Sequence, residues 1–212
     1  MNTKSKKEQH KVDLRQVIIE AAKKLFSEDG YQATSIRRIA KAIGYSPTTI
    51  YLYFKDKNDI FYALHQAGFI MLRNRFLPLA VVEDPFERLK ALGKNYIDFA
   101  VQNPEYYAVM FLMSEPFQYL ENHCVDQDWP EGERVFEFLE GTIQECQGKG
   151  YFKDQAYEMV ALQAWSSVHG LATLAITKHL LKIVDIKEMP VVPEQLLDAI
   201  FDVYVSFLEG KK

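Results

Sequence analysis

The 212 residues are 48% hydrophobic and 25% charged, which supplies cores for one or two ordinary globular domains. The N-terminus is polar and basic with no apolar run behind it, so no secretory leader is expected. The longest unbroken apolar run, Tyr106–Met113, is too short to cross a bilayer, and two cysteines, Cys124 and Cys146, make neither a disulfide framework nor a metal cluster. A cytoplasmic protein without membrane association is the simplest expectation. The net charge of −4 is unevenly spread: residues 1–57 hold twelve Lys/Arg against six Asp/Glu, and residues 58–212 hold thirteen against twenty-three. A basic end on an acidic body points to an anionic partner at that end, a solvated run of lysines being the plainer alternative.

The pattern is helical throughout, with no sustained period-two alternation. Residues 2–10 read as a flexible arm. A first helix is expected over 11–28, with Leu14, Val17, Ile18, Ala21, Ala22, Leu25 and Phe26 as its apolar stripe and Gly30 just past its end. A second is expected over 35–43, with Thr34 as its N-cap and Gly44 in a tight turn after it. Ser46 caps a short third helix with Pro47 in its first turn. Asp56, with Asp59 three residues on, caps a fourth that runs to about Leu77. Further helices are expected over 85–101, from 104 to about Met113, over 131–147, over 154–181 and over 193–208, with 114–130 irregular and 189–192 a linker. The expected fold class is all-α: an N-terminal three-helix domain (1–57) with a helix-turn-helix, followed by an all-helical C-terminal domain (58–212).

Residues 34–54, Thr-Ser-Ile-Arg-Arg-Ile-Ala-Lys-Ala-Ile-Gly-Tyr-Ser-Pro-Thr-Thr-Ile-Tyr-Leu-Tyr-Phe, spell helix, glycine turn, helix. The major groove of B-DNA, about 12 Å wide, admits one helix, and that helix must be held rigidly from behind. Ile50 and Phe54 are its expected buried positions, while Thr48, Thr49, Tyr51 and Tyr53 are short or polar and face outward. Short side chains at its N-terminal end let the backbone approach base edges. Lys57 lies at the positive end of the fourth helix, where a lysine is electrostatically misplaced unless a phosphate sits there. The plainer alternative is a solvated lysine.

These residues resemble the TetR family of bacterial transcription regulators. The likeness runs from about Leu14 to Leu64, through Ile-Ile-Glu-Ala-Ala-Lys-Lys-Leu-Phe, Thr-Ser-Ile-Arg-Arg-Ile-Ala and Ser-Pro-Thr-Thr-Ile-Tyr-Leu-Tyr-Phe-Lys-Asp-Lys-Asn-Asp-Ile. It implies an all-α homodimer whose C-terminal domain binds a ligand and sets the spacing of two DNA-reading heads. By position it implies DNA contacts at Arg37, Pro47, Thr48, Thr49, Tyr51, Tyr53 and Lys57. Pro47 stands where the family often has a lysine or polar residue, and Leu52 where a polar or aromatic residue is common; Leu52 can touch a thymine methyl. Trp165-Ser-Ser-Val-His169-Gly170 resembles a Trp-x-x-x-His-Gly signature of one C-terminal subgroup.

Other candidates carry two readings each. Trp165 and His169 are four residues apart on one helix face, as a cavity wall and a ligand hydrogen-bonding group or as ordinary core. Gly170 in mid-helix points to close helix packing. Tyr106, Tyr107, Met110 and Phe111 suit an adaptable apolar ligand site or plain core. His123-Cys124 with Asp126 and Asp128 lacks a second ligand group at metal spacing and reads as a solvated loop. There is no phosphate-cradling glycine loop and no nucleophile elbow, so no enzyme, cofactor or metal is expected. The last helix, with Leu196, Leu197, Ile200, Phe201, Val203, Tyr204, Phe207 and Leu208, is apolar over too wide an arc for one-sided packing. It should pair, together with helix 154–181, with a twofold mate. The expected function is a DNA-binding regulator, a repressor released from a palindromic operator by a small, largely apolar effector. The alternative makes the C-terminal domain a protein-interaction module with no such ligand.

Overall fold

The computed structural model describes residues 3–113, 130–187 and 195–210, with side chains described from Asp13 onward and Ile186 excepted. Its described residues are helical, with no strand among them. The chain divides into two compact units: residues 1–69 together with 105–129, and residues 70–104 together with 130–212.

The first unit holds α1 (Thr3–Asp29), α2 (Ile36–Ala42), α3 (Pro47–Tyr51) and the first part of α4 (Lys57–Phe76). The backbone is helical from Thr3, where a flexible arm was expected; residues 3–10 contain Lys, Glu and Gln and neither Gly nor Pro, so nothing in them stops a helix. Ile18, Ile19, Ala22 and Phe26 of α1 meet Ile39 and Ala40 of α2, Ile50 and Phe54 around α3, and Ile60, Phe61 and Leu64 of α4 in one core. Val17, expected in the buried stripe, is exposed, and Ile19 is buried instead. Phe26, Tyr31 and Phe61 form a mutual ring cluster with centroids 5.2 to 5.6 Å apart. Gly30 and Gly44 take φ of 83° and 72°, the left-handed conformation that ends α1 and turns the chain from α2 into α3. The same unit contains the segment after Glu105: the end of α6 (Pro104–Tyr107), followed by a π-helical turn over Ala108–Leu112.

The second unit packs α5 (Pro85–Gln102), α7 (Pro130–Gly148) and α8 (Tyr157–Ile176) against one another, with α9 (His179–Lys187) and α10 (Leu196–Glu209) on α8. Asp84 caps α5, its carboxylate accepting from the Phe86 and Glu87 N–H groups at 2.8 and 3.1 Å. Phe86, Leu89, Ile143, Cys146, Phe152, Val160 and Ala161 make one core cluster. Arg88, nearly buried beside it, is held by Glu145 and by the Val82 carbonyl. The helix expected over 154–181 is two helices: Asp154 lies in a turn, and the chain bends at Thr177–Lys178, where Lys178 has φ of 61°. By length and composition alone α8 is long and apolar enough to cross a membrane; six of its residues, from Val160 to Ala172, are buried in the core of this unit. Among the described residues nothing lies within 4 Å of where a Cβ of Gly170 would stand, so none of them makes the close approach expected there. Residues 114–129 and 188–194, with His123, Cys124, Asp126, Asp128, Pro193 and the expected linker, lie outside the described residues.

Candidate nucleic-acid interface

The second helix of the turn motif is held by three local devices. The Ser46 hydroxyl accepts from the Thr49 N–H at 3.2 Å, Pro47 occupies the first turn, and Ile50, fully buried, anchors the inner face. The N-cap of α2 is Ser35, accepting from the Arg38 N–H at 3.3 Å. Thr34, the expected cap, is buried and donates instead to the carbonyls of Leu25 and Gly30 at 3.2 and 2.9 Å, which ties the α1–α2 turn together.

What this scaffold leaves outward is a small polar and aromatic surface. Thr48 is exposed, Tyr51 is 57% exposed and Leu52 71% exposed; Pro47, Thr49 and Tyr53 are partly covered. The Thr49 hydroxyl lies 3.0 Å from that of Ser46, so it shares in the cap. Arg37 projects from α2 and is exposed. Its neighbour Arg38 is committed to the protein, pairing with Asp29 at 2.6 Å and donating to the Ala33 carbonyl at 3.1 Å. Adjacent arginines thus divide into one structural and one outward group, a distinction invisible in the sequence.

At the start of α4, Asp56 accepts from the Asp59 N–H at 2.9 Å and Asp59 accepts from the Lys55 N–H at 2.9 Å, a reciprocal cap. Lys57 donates to the Tyr31 carbonyl at 2.8 Å and its ammonium sits 3.9 Å from the centre of the Tyr31 ring. The protein itself therefore resolves the electrostatic misplacement noted above, through a carbonyl and a cation–π contact.

The remaining sequence candidates fall into both units. In the first, Tyr106, Tyr107 and Met110 are buried and Phe111 is partly buried; Phe111 packs edge-on against Phe69 at 5.4 Å. In the second, Trp165 and His169 converge on a residue that sequence reading passed over, Tyr96 of α5. The Trp165 indole N–H donates to the Tyr96 oxygen at 3.1 Å, and that oxygen lies 2.9 Å from His169 Nδ1. Tyr96 is buried, and burial also lowers the His169 pKa, so its imidazole stays neutral near neutrality. The Tyr96 oxygen thus accepts from the indole and bridges it to the imidazole. No group of three His, Cys, Asp or Glu side chains among the described residues is arranged to hold a metal.

Family models match both parts of the chain: "Bacterial regulatory proteins, tetR family" over residues 18–64, and "Tetracyclin repressor-like, C-terminal domain" over residues 89–203. The chain belongs to the TetR family. Among curated TetR-type relatives, the HTH-type transcriptional regulator AcrR of Shigella flexneri is 45% identical over 56 residues, which is 26% of each chain. The match thus spans about a quarter of that relative's length. Among solved structures, the fatty acid degradation regulator FadR of Bacillus halodurans superposes with a TM-score of 0.68 at 18% identity, over 90% of this chain and 94% of that one. The ketosteroid transcriptional regulator KstR2 of Mycobacterium tuberculosis gives 0.64 at 17% identity, over 92% and 93%. At these identities the structures show a shared fold over about nine-tenths of the chain.

Proposed function

We propose that this TetR-family protein is a cytoplasmic transcriptional repressor that binds a roughly palindromic operator as a homodimer and is released by a small, largely apolar effector. The observation that carries the DNA-binding part is the capped, rigid α3, whose inner face is buried while Thr48 and Tyr51 stand outward, with Arg37 exposed on α2 of the same basic unit. Thr48, Thr49, Tyr53 and Arg37 read base edges; Pro47 and Tyr51 shape and flank that surface; Lys57 approaches phosphate once it leaves Tyr31. Residues 1–57 supply DNA reading, and residues 58–212 supply effector response and dimerisation.

Dimerisation is supported by apolar side chains left on the outside of the second unit. Met159, Leu162 and Leu174 of α8 and Val203 and Phe207 of α10 are all exposed, Phe207 at 71%. Gly170 adds a place on α8 where a second chain can come close. A twofold mate laid on α8 and α10 covers this surface with itself. The effector reading rests on Trp165 and His169 in the second unit, where an imidazole held by the Tyr96 hydroxyl lies against the indole ring. In the first unit, Tyr106, Tyr107, Met110 and Phe111 form the effector-responsive segment. The fatty acid and ketosteroid regulators among the structural neighbours support an apolar effector and a non-enzymatic protein.

The test is fluorescence anisotropy of a labelled duplex, selected by this protein from a random library, titrated across salt concentrations. Each phosphate contact contributes a slope of about −0.9 in log affinity against log salt, so a dimer using two phosphates per head should give about −4 or steeper. Straight-chain fatty acids and a ketosteroid, added in turn, should release the duplex. Affinity independent of salt would overturn the DNA reading. A cross-linked, sedimenting monomer with full affinity would overturn the dimer. Retention of the duplex with every apolar compound, together with capture by a protein partner, would favour the interaction-module reading of residues 58–212.

A further inference from the structure

The first unit is not made of the N-terminal helices alone. The chain leaves it after Phe69, returns at Glu105, and departs again after Trp129. The returning segment is docked on α1 and α4 by specific contacts. The Tyr106 hydroxyl donates to the Glu20 carboxylate of α1 at 2.8 Å. Lys23, one turn further along α1, pairs with the same carboxylate at 2.6 Å and lies 4.4 Å from the centre of the Tyr106 ring. Gln16, one turn earlier, donates to Glu20 at 3.2 Å. On α4, Gly68 has no room for a side chain: its Cβ would stand 2.5 Å from Met110 Sδ and 3.5 Å from a Tyr106 ring carbon. Phe111 packs on Phe69 one residue further. The segment then winds as a π-helical turn over Ala108–Leu112, a geometry that recurs at functional sites because it is easily rewound.

The chemistry of the α1 contact is one-directional. Burial, with the Glu20 carboxylate beside it, pushes the Tyr106 hydroxyl well above the ordinary phenol range, so it always carries its proton. Burial alone would raise Glu20, but the hydrogen bonds from Lys23 and Tyr106 outweigh it and hold the carboxyl below its ordinary value, so it is anionic. A neutral donor meets a charged acceptor, the stronger class of hydrogen bond, under a lysine that serves both partners. We propose that Tyr106, Glu20 and Lys23 form a latch that couples the state of segment 105–112 to helix α1 of the DNA-reading unit. This latch reaches α1 directly, beside the contacts that the same segment makes with Gly68 and Phe69 on α4. The inference goes beyond the proposed repressor function and rests on it only in requiring that the unit bind DNA.

Coupling is reciprocal: whatever segment 105–112 imposes on the head, DNA bound to the head must impose on the segment. The effect can therefore be read without knowing the effector. Amide hydrogen exchange is followed in the full-length protein, free and saturated with the selected duplex. In the wild type the duplex should slow exchange at the amides of residues 106–112 by about five-fold or more, the lower end of measured couplings. Tyr106→Phe keeps the ring under Lys23 and removes only the donor. Glu20→Ala removes the acceptor from the exposed side of α1. Both should bind the duplex at saturation yet lose the slowing at 106–112, while Glu20→Gln, which keeps an accepting oxygen but loses the charge that Lys23 pairs with, should retain only part of it. A residue of merely structural importance would change exchange equally with and without DNA. The latch is overturned if the wild-type segment ignores the duplex, or if the slowing survives in both Tyr106→Phe and Glu20→Ala. A wild-type protein that binds no selected duplex would overturn the proposed function and the latch with it; fatty acids and ketosteroids that fail to release DNA would overturn only the effector reading.

Discussion

The buried His65 should make this protein lose stability on acidification. It lies on α4 at 1% exposure with its ring 5.0 Å from that of Phe69, and burial lowers its pKa from 6.5 to about 4. The unfolded chain titrates near the ordinary value. Below that value it binds a proton that the folded protein refuses, so stability is fully present above pH 6.5 and is lost as pH falls toward 4. One pH unit inside that window corresponds to about 1.4 kcal/mol. Integrated from pH 7 to pH 5, the His65 contribution is a loss of about 2 kcal/mol. His169, also lowered by burial, acts in the same direction, and the carboxyls of Glu20 and Asp84, held below their ordinary values, begin to matter only at more acid pH. These groups are common to the wild type and to His65→Leu, so the difference between the two pH profiles isolates His65. The assay is urea unfolding followed by tryptophan fluorescence at pH 7, 6 and 5, at one protomer concentration so that any self-association is held constant. The variant should lose about 2 kcal/mol less than the wild type between the end points. Parallel profiles would refute the assignment of the acid sensitivity to this buried imidazole.

Ser46→Ala removes the cap of α3 and should cost about 1 kcal/mol in thermal or urea stability, with weaker binding of the selected duplex because Thr48 and Thr49 lose their fixed presentation; an unchanged affinity would show that the cap does not position the reading helix. Lys57→Ala should weaken all duplexes alike and flatten the salt slope by about one unit per head, whereas Arg37→Ala should relax sequence preference; anisotropy against selected and scrambled duplexes separates the two. Tyr96→Phe removes the oxygen between Trp165 and His169 and should destabilise by about 1–3 kcal/mol, for two hydrogen bonds lost in a buried site. In the same variant the tautomer balance of the His169 imidazole should change, which nitrogen-15 NMR of the ring reads directly.

Local signals carried much of the fold. Ser46-Pro47, Asp56 with Asp59, and the glycines at 30 and 44 each act within four residues of themselves, and each does in the structure what its chemistry demands. The failures came where a residue had a better offer from elsewhere. Thr34 has the side chain of an N-cap, but two carbonyls of the preceding turn take its hydroxyl, and Ser35 caps in its place. The break between α8 and α9 falls at Thr177–Lys178, without glycine or proline; a lysine in the left-handed region is uncommon enough that no sequence rule would place it there. Gly170 was read as a packing glycine, yet none of the described residues fills the space.

The same contrast governs the sites. The DNA-reading surface proposed above falls in one contiguous stretch from Arg37 to Lys57, where spacing alone says which side chains turn inward, and Ile50 and Phe54 do turn inward. Even there the split between Arg37 and Arg38 needed Asp29, nine residues away, to decide it. Tyr96 and Glu20 escaped because their partners are distant in sequence: Tyr96 serves residues 69 and 73 positions on, and Glu20 receives a hydroxyl from 86 positions on. A signal for Tyr96 was present, since a tyrosine on the apolar stripe of α5 must bury a hydroxyl and a buried hydroxyl must find a partner. Glu20 offered none, because Glu20 with Lys23 one turn later is also the signature of a solvated ion pair. What turns that pair from surface decoration into part of a connection is the return of the chain to the first unit at Glu105. Long-range topology decides it, and helical periodicity carries no information about where a chain comes back.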